Sequence, residues 1–576
     1  MLSKKTLINF LPLILILLLA VFARFIFLDK VPNAIGGDEM VYVLNAKASF
    51  VSGYDIFGKW SPWQGLLFQY PQGETQAELP YILDYFFLGP LPLNLFDAHL
   101  PNALLGILLI VFVFLSVKEL LGRQVALFAA FLTSINPWFI YIGRTAYEAV
   151  PAALFYFISL YILLKAKGWT ILIAFPFLIL AFYSYIATKL IMVPFALAIC
   201  VYVYFYINKK KYLRQYLILL SLCVLFVLCY VVSLKLNPST SRLGELITPF
   251  NSDIASQVDA IRKTSIQTPF TGIFTNKYTV FANIIFTKVF NIFSSAFLFA
   301  TGDEFFSIWR HGLFYYIDGL FIVLGSLFMF SKKRAMFVFI ASLLLIGIIP
   351  HVIHAGTTNN FSIHQTMMYP FLIILAGFGI YESIAWFKNK NVKRLTAGVI
   401  VVLYLFSFAN FMNIYLYWFP LQGYFDFPVR IVSSYAKRAS NGQKVTVYST
   451  VSFDYFKKYL FYINGYNRQT EGIIAKNLNN KVYTLGNVTF VSCNIPDNLD
   501  NKNNLDIIDV KCGENLNLKH LSISRLSDGG ETFQIYNDKI CQGVALNRYP
   551  QNITLNDFNV ESLTNGKFCN TFVSSL

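Results

Sequence analysis

The sequence predicts an all-α polytopic membrane protein with about eleven transmembrane helices and a small C-terminal α/β domain outside the cytoplasm. Composition, the spacing of apolar runs and the placement of basic residues predict this class. The chain has 576 residues, of which 56% are hydrophobic and only 13% are charged. A soluble protein of this length would carry far more charged surface. Aromatic residues make up 17%, which suits a large area facing lipid and the membrane interface.

Apolar runs of membrane-spanning length recur along residues 1–420. A hydrocarbon core about 30 Å thick needs roughly 20 apolar residues in a helix. The first run could pass for a signal peptide, but because many further runs follow it, we expect an uncleaved first span. The runs lie near residues 7–27, 101–117, 125–142, 150–164, 170–187, 190–207, 216–234, 312–330, 336–353, 366–387 and 395–417.

Every second loop between these runs is basic, and this alternation predicts the orientation. Positively charged loops stay on the cytoplasmic side of a membrane. We therefore expect a multi-pass protein of the cell (plasma) membrane with a cytoplasmic N-terminus and an extracytoplasmic C-terminal domain. These loops account for most of the net charge of +16, so the charge does not indicate a nucleic acid partner. The basic residues are Lys4, Lys5, Lys118, Arg123, Lys165, Lys167, Lys209, Lys210, Lys211, Arg214, Lys332, Lys333, Arg334, Lys388, Lys390, Lys393 and Arg394.

Two of the predicted outer loops, residues 28–100 and 235–311, are long. Each contains an apolar and aromatic stretch too short or too polar to span, at residues 39–51 and 278–297. Such stretches are typical of amphipathic helices that lie on the membrane surface. Long loops that pack on a membrane face are more often functional than mere connectors.

Residues 421–576 are predicted to form a soluble extracytoplasmic α/β domain. Short β-rich runs at residues 444–450, 481–485 and 487–492 accompany a helical stretch at 453–462. Four of the seven cysteines lie in this part of the chain. They permit two disulfides, and the sequence leaves all three pairings open. These cysteines are Cys493, Cys512, Cys541 and Cys569.

Two groups of acidic residues lie where a reaction outside the membrane could use them. Asp38 and Glu39 follow a glycine pair, so they either cap a helix N-terminus or include a general base that an acceptor hydroxyl can approach. Arg144 and Glu148 follow the third apolar run. On a helix, residues four apart share a face, so a local ion pair is the alternative to a functional role.

Basic residues on the predicted outer side are fewer and stand out. Lys189 could extend toward the interface or bind an anionic group such as a phosphate. Arg310 and His311 directly precede the eighth span. Three histidines, at positions 351, 354 and 364, flank the fifth outer loop without a tight metal-ligand spacing, so a polar loop is the preferred interpretation and no metal site is assigned. Outer carboxylates with outer cations suit a reaction on a lipid-linked phosphate.

These residues resemble glycosyltransferases of the GT-C superfamily, specifically family 39, which includes protein O-mannosyltransferases and lipid A aminoarabinose transferases. The resemblance covers roughly residues 1–420 and rests on four motifs in order along the chain. They are Asp38-Glu39, Arg144-x-x-x-Glu148, Ser184-Tyr185 with Thr188-Lys189, and Gly302-Asp303 with Arg310-His311. The resemblance implies a GT-C transmembrane catalytic domain over residues 1–420.

The resemblance also implies a reaction, in which one sugar is transferred with inversion from a polyprenyl-phosphate donor to an acceptor. It implies Asp38 as general base, with Glu39 beside it and Glu148 as a second acid. The acceptor is left open among protein, lipid and cell-envelope glycan, and a divalent metal stays an open option. Residues expected near the donor phosphate are Arg144, Lys189, Arg310 and His311, and those expected to bind substrate are Tyr42, Asp303 and His364.

The sequence departs from the family at two places. Lipid A-modifying relatives carry Lys-Pro-Pro late in the first outer loop, where this chain has Ala77-Glu78-Leu79-Pro80. Many relatives have an arginine shortly after a histidine in the fifth outer loop, where His364 is followed by Gln365. Both departures argue against lipid A-type specificity. The alternatives are a transporter of polyprenyl-linked lipid or polysaccharide, which more often shows internal repeats and short outer loops, and a non-enzymatic surface protein.

Overall fold

The computed structural model describes residues 4–67, 77–207, 210–236, 252–303, 305–308, 310–354, 360–422, 427–496, 504–513, 519–547 and 553–575. Helices make up the chain as far as residue 422, and a seven-stranded sheet lies in the C-terminal part. This confirms the predicted class, a helical polytopic membrane protein with a small C-terminal α/β domain. Residues 237–251 of the second long loop fall outside the described residues.

The described helices of the N-terminal region are numbered in chain order. They are α1 (Lys4–Phe25), α2 (Gly37–Ser52), α3 (Pro62–Leu66), α4 (Glu78–Phe87), α5 (Leu95–Leu121), α6 (Arg123–Ile135), α7 (Pro137–Ile142), α8 (Ala149–Lys165), α9 (Ala174–Ser184), α10 (Met192–Tyr206), α11 (Leu213–Leu236), α12 (Ser252–Lys263), α13 (Thr271–Phe274), α14 (Lys277–Ile292), α15 (Tyr316–Lys332), α16 (Arg334–Ile353), α17 (Tyr369–Ala385) and α18 (Lys390–Asn413).

Each apolar run of the sequence corresponds to a helix or a pair of helices in this list. Among the described residues, five helices are both long and apolar enough to cross a membrane, and these lie within 95–121, 187–206, 210–236, 334–353 and 390–421. Shorter apolar helices, among them α8 and α17, occur at five of the six other predicted spans, and α15 lies at the sixth, near residues 312–330. The short helices expected in the two long loops are α2 and α14, although α14 ends at Ile292 rather than near residue 297.

The predicted span at residues 125–142 is interrupted. Because Pro137 disfavours the helical conformation of the residue before it, Asn136 is extended and α6 ends at Ile135. Asn136 then caps the next helix, since its side chain accepts a hydrogen bond from Phe139 N at 3.1 Å. The break turns the short helix α7 and the loop after it toward the first long loop.

Helices α15 and α17 pack with their backbones in close contact. A Cβ atom at Gly325 would lie 1.9 Å from Leu375 O, and one at Gly379 would lie 2.2 Å from Phe321 O. Only glycine fits at these two positions, which is the small-residue packing common between membrane helices.

The C-terminal part folds around a mixed sheet with the strand order β2-β3-β1-β4-β6-β5-β7. The central strand β1 pairs in parallel with β3 and β4, and the remaining pairs are antiparallel. The strands are β1 (Lys444–Tyr448), β2 (Tyr483–Leu485), β3 (Val488–Val491), β4 (Asn504–Asp509), β5 (Leu521–Ser524), β6 (Glu531–Tyr536) and β7 (Val573–Ser575). The helices are α19 (Phe427–Ala439), α20 (Ser452–Tyr462), α21 (Glu471–Asn479) and α22 (Asn565–Phe572).

Two disulfides join segments of this sheet domain. They resolve the pairing that the sequence left open, because Cys493 bonds to Cys512 and Cys541 bonds to Cys569. A disulfide stabilises a small domain mainly by restricting its unfolded chain.

The sheet domain docks on the first long loop through buried polar contacts. Arg430 on α19 donates to Asn33 O at 2.6 Å and forms two hydrogen bonds with the Glu561 carboxylate. Tyr462 on α20 accepts a hydrogen bond from Ile35 N at 3.1 Å. The chain from residue 33 to residue 35, which leads directly into α2, is thus held by the sheet domain. We call this end of the helical region the docked end.

Arg430→Ala should loosen this docking. The substitution leaves Asn33 O and the Glu561 carboxylate without their buried donor, which should cost about 1–3 kcal/mol of stability. Arg525→Ala is the control, because Arg525 pairs with Asp528 at an exposed site and its loss should cost less than about 0.5 kcal/mol. Thermal unfolding and limited proteolysis of the sheet domain measure both variants. Equal behaviour of the two would contradict the docking role of Arg430.

Candidate active site

Glu39, in the first turn of α2, ties two chain segments together. Its Oε2 accepts a hydrogen bond from Gly36 N at 2.7 Å, and its Oε1 accepts one from Ala146 N at 2.6 Å. The first bond satisfies a backbone donor at the helix N-terminus, as in a capping box. The second fixes the loop between α7 and α8 against α2. Glu39 is fully buried, whereas the neighbouring Asp38 is exposed.

The glycine pair before these acids has two different environments. A Cβ atom at Gly36 would lie 2.6 Å from Tyr147 Oη and 3.0 Å from Glu39 Oε2, so a larger residue would push the loop away. Gly37 is exposed, and an added Cβ there would meet nothing within 4 Å. Gly36 therefore permits the close contact between the two segments, and Gly37 leaves open space beside Asp38.

Asp38 and Glu148, to which the resemblance gave separate roles, lie close together, and we call them the acidic cluster. The negative charge of Asp38 acts on Glu148, and the Tyr42 hydroxyl hydrogen-bonds Glu148. Tyr42 also accepts a hydrogen bond from Ala77 N at 3.2 Å. Tyr185, at the end of α9, is close enough to feel the charges of both Asp38 and Glu148. Three separate segments of the helical region thus meet at the N-terminus of α2.

Burial changes the protonation of two of these acids. It raises the pKa of Glu148 to about 8, and the charge of Asp38 raises it further. Burial raises the pKa of Glu39 to about 7, partly offset by its two backbone hydrogen bonds. One Glu148 oxygen, Oε2, is buried without a hydrogen-bond partner among the described residues. Near neutral pH, Glu148 is therefore mostly protonated.

Arg144 and Glu148 do not share a helix face, which corrects the sequence prediction. Helix α7 ends at Ile142 and α8 begins at Ala149, so both residues lie in the turn between the helices. The Arg144 guanidinium is fully buried and bonds to protein groups. Its donors bond to Ala23 O at 3.0 Å, Ile26 O and Val31 O at 2.8 Å and the Tyr415 hydroxyl at 3.2 Å. It holds the end of α1 and the following turn.

Lys189 is also engaged within the protein. Its Nζ donates to the two Glu78 carboxylate oxygens at 2.9 and 3.0 Å and to the Tyr230 hydroxyl at 2.9 Å. Both partners of this ion pair are buried. Glu78 is the residue at which the chain departs from the Lys-Pro-Pro of lipid A-modifying relatives. A phosphate contact by Lys189, as predicted from the sequence, would require this pair to open.

Asp303 and His364 lie on two segments that pack together beside the acidic cluster. Asp303 Oδ1 accepts hydrogen bonds from the backbone N of Phe305 and Phe306, and its Oδ2 accepts one from Ser362 N at 2.7 Å. The Phe306 ring lies 5.1 Å from that of Tyr147, and the His364 ring lies 6.3 Å from that of Tyr185. Asp303 therefore orders the segment, and His364 lies next to the acidic cluster.

Arg310 and His311 line a separate cavity of about 450 Å³ between α15 and α18. Arg310 is exposed, whereas His311 bonds through Nδ1 to Gly312 O at 2.7 Å and packs 5.1 Å from the Phe411 ring. The cavity wall is otherwise mostly apolar and aromatic, and Asn410 and Ser407 add polar atoms. These two residues thus lie at a different cavity from the acidic cluster.

Sequence reasoning missed two residues at this end of the molecule. His99, in the first turn of α5, is fully buried with its Nε2 3.8 Å from Glu39 Oε1. Lys288 is buried on the long-loop helix α14. A lysine within the otherwise apolar stretch at 278–297 was the available signal. No group of histidine, cysteine, aspartate and glutamate side chains in the described ranges is arranged to hold a metal ion.

Comparison with known proteins relates part of this chain to a family. Residues 91–234, about a quarter of the chain, match the sequence model of the family described as dolichyl-phosphate-mannose-protein mannosyltransferase. This match confirms the predicted resemblance to GT-C superfamily glycosyltransferases. Among curated protein sequences, none matches the chain.

Solved structures with a similar course of the chain include the following two. The archaeal oligosaccharyltransferase AglB from Archaeoglobus fulgidus, in complex with an inhibitory peptide and a dolichol-phosphate, is 12% identical, with a TM-score of 0.46. That alignment covers 97% of this chain and 78% of AglB. ArnT from Cupriavidus metallidurans, bound to undecaprenyl phosphate, is 12% identical, with a TM-score of 0.46 and coverage of 91% of this chain and 97% of ArnT.

The raised pKa of Glu148 predicts a pH-dependent stability. The unfolded chain loses this proton near pH 4.5 but the folded protein keeps it to about pH 8, so stability falls as the pH rises through that window. Glu148→Gln should remove this part of the fall. The free energy of unfolding of the variant, relative to that of the parent, should therefore be about 1–3 kcal/mol higher at pH 8.5 than at pH 5.5. Thermal unfolding in detergent at both pH values measures the difference.

The control for this prediction is Glu119→Gln. Glu119 forms an exposed ion pair with Lys165 at 3.0 Å, and such pairs contribute little to stability, so its replacement should leave the pH dependence of the parent unchanged. A Glu148→Gln variant whose stability varies with pH as the parent's does would contradict the assignment of a neutral Glu148.

Proposed function

We propose that this GT-C-like membrane glycosyltransferase moves a single sugar from a polyprenyl-phosphate-linked donor to an acceptor on the extracytoplasmic side, with inversion. The observation that supports it best is the exposed carboxylate of Asp38 beside the largely protonated Glu148. The family description names a dolichyl-phosphate-linked sugar, which supports a lipid-linked donor. The acceptor class remains protein, lipid or cell-envelope glycan.

Asp38 is the general base of this proposal. It lies on the first turn of α2, it is exposed, and Gly37 leaves space where an acceptor hydroxyl can approach. Asp38 takes the proton of that hydroxyl as the acceptor oxygen bonds to the anomeric carbon. The bond from that carbon to the phosphate oxygen breaks, and its electron pair leaves with the polyprenyl phosphate. A single displacement of this kind inverts the anomeric configuration.

Glu148 and Glu39 support this base in different ways. Two carboxylates that lie close together do not readily both ionise, so a protonated Glu148 leaves the negative charge on Asp38. Glu148 is also near enough to Tyr42 to orient a sugar hydroxyl with it. Glu39 is the positioning residue, because its bonds to Gly36 and Ala146 set the start of α2 against the loop that carries Glu148.

The four residues that the sequence predicted near the donor phosphate lie in different environments. Arg144 bonds to backbone carbonyls, so we propose for it a role in holding the loop rather than the donor. Lys189 contributes to the donor only if Glu78 releases it. Arg310 and His311 remain candidates at the lipid-facing cavity between α15 and α18, where the polyprenyl chain would enter. Asp303 orders the segment that carries His364, and His364 remains a substrate-binding candidate.

The proposed orientation rests on charge and on the disulfides. The basic loops predict a cytoplasmic N-terminus, and two disulfides in the sheet domain suit an oxidising compartment. The docked end, where the acidic cluster lies, would then face the extracytoplasmic side. A lipid-linked sugar presented there needs no nucleotide-sugar site.

The test is sugar transfer by purified protein in detergent from a radiolabelled panel of polyprenyl-phosphate sugars. Asp38→Asn should lower turnover of the active donor at least about 100-fold, because the variant cannot take the acceptor proton. Asp528→Asn, an exposed site on the sheet domain, is the control and should retain parental turnover. Unchanged turnover by Asp38→Asn would remove Asp38 from the mechanism. Absence of turnover with every donor and acceptor class, by folded protein, would favour the transporter alternative.

A further inference from the structure

A buried lysine without an acidic partner lies near the acidic cluster. Lys288 on α14 is only 2% exposed, and its Nζ donates to His354 O at 2.6 Å. Within the described part of the chain, no carboxylate pairs with it, and burial lowers its pKa. An ammonium group buried without a counter-charge is costly, and a bound anion is one way to offset that cost.

Three histidines surround the same position. The His364 ring lies 4.9 Å from that of His354 and 6.2 Å from that of His351, and the charge of Lys288 acts on all three. His351 is 2% exposed, and the Asn360 side chain lies beside its ring. Nδ1 of His364 and Oδ1 of Asn360 are buried without a geometric hydrogen-bond partner among the described residues. Buried polar atoms are nearly always bonded, so these atoms indicate a ligand.

The chemistry of the cluster favours an anion over a metal ion. A lysine ammonium repels a cation, and the histidines are not arranged to hold a metal ion. A neutral imidazole carries one N–H, which can donate to an anion without bringing a further charge into a buried site. One ammonium and several N–H donors around one space suit the oxygens of a phosphate.

The cluster and the acids both lie near Tyr185. The charges of Asp38 and Glu148 act on the Tyr185 hydroxyl, and the Tyr185 ring lies 6.3 Å from that of His364. A displacement with inversion needs the base and the leaving group on opposite faces of the sugar, and this arrangement provides an anion site away from the base.

We propose that Lys288, His351, His354 and His364 bind the phosphate of the lipid-linked donor and of the polyprenyl phosphate it releases. The proposal rests on the proposed function and names the part of the site that holds its leaving group. When the bond to the sugar breaks, the phosphodiester monoanion becomes a monoester that gains one negative charge. Lys288 stabilises that added charge, so the cluster favours the transition state over the bound donor.

The test measures binding of undecaprenyl phosphate, separately from turnover, to the full chain in phosphatidylcholine nanodiscs. Lys288→Gln should weaken binding at least about tenfold, because it removes the charged donor. Lys277→Gln changes an exposed lysine on the same helix and should bind as the parent does. His351→Gln, which keeps a neutral donor, should weaken binding less than Lys288→Gln. Equal affinity of parent and Lys288→Gln would overturn the proposal, provided that thermal unfolding shows both to be folded.

Further binding experiments distinguish between possible phosphate ligands and between the phosphate-site proposal and the proposed function. Inorganic phosphate and phosphatidic acid test whether the cluster binds any phosphate or one on a polyprenyl chain. If inorganic phosphate displaces undecaprenyl phosphate from the parent but not from Lys288→Gln, the result supports the site. If it displaces undecaprenyl phosphate from both, the result contradicts the site. Asp38→Asn should bind undecaprenyl phosphate like the parent. Suppose that Asp38→Asn loses turnover but still binds undecaprenyl phosphate, and that Lys288→Gln also binds it as the parent does. This result would contradict the phosphate site and leave the proposed function standing.

Discussion

The buried carboxylate of Glu39 is the interaction on which the candidate site depends. It joins the N-terminus of α2 to the loop between α7 and α8, two segments that are more than 100 residues apart in the sequence. The hydrogen bond between Tyr42 and Glu148 links the same two segments a turn further along α2. The close approach requires Gly36, because a side chain there would clash with Tyr147. The sheet domain adds a second restraint, since Tyr462 and Arg430 hold the residues that lead into α2.

The basic side chains near this site fall into two groups. Some are bonded to protein groups and stabilise the fold, and others can bind a ligand. Lys189 is neutralised by Glu78, and Arg144 is satisfied by backbone carbonyls and Tyr415. Lys288 donates to His354 O but has no acidic partner among the described residues, and it lies among three histidines. Burial makes the acidic side less charged as well, because it keeps the proton on Glu148. The site thus combines one exposed carboxylate with one buried cation, and the proposed displacement at a lipid-linked phosphate uses both.

The sequence was sufficient for the fold class and for the position of most apolar helices. The resemblance gave roles to Asp38 and Glu148 but did not predict that they lie close together. Apolar runs and loop charge are properties of short stretches of sequence, so they can be recognised without a structure. A proline at position 137 can indicate a helix break, but the apolar run continues through it, so the sequence predicted one span. Because the helix does break there, Arg144 and Glu148 lie in a turn rather than on one helix face. Partners distant in the chain, such as Glu78 for Lys189 and Tyr462 for Ile35, could not be read from sequence. Lys288 escaped notice because its histidine neighbours lie more than 60 residues further along the chain, at positions 351, 354 and 364.

The most direct test of the central claim is an experimental structure of the protein with an undecaprenyl-phosphate sugar in a lipid nanodisc. The account predicts that the phosphate oxygens lie about 3 Å from Lys288 Nζ and that the opposite face of the sugar is turned toward Asp38. The polyprenyl chain should leave along the lipid-facing side of the helices. A donor phosphate bound at Arg310 in the cavity between α15 and α18, with Lys288 remote from it, would contradict the account.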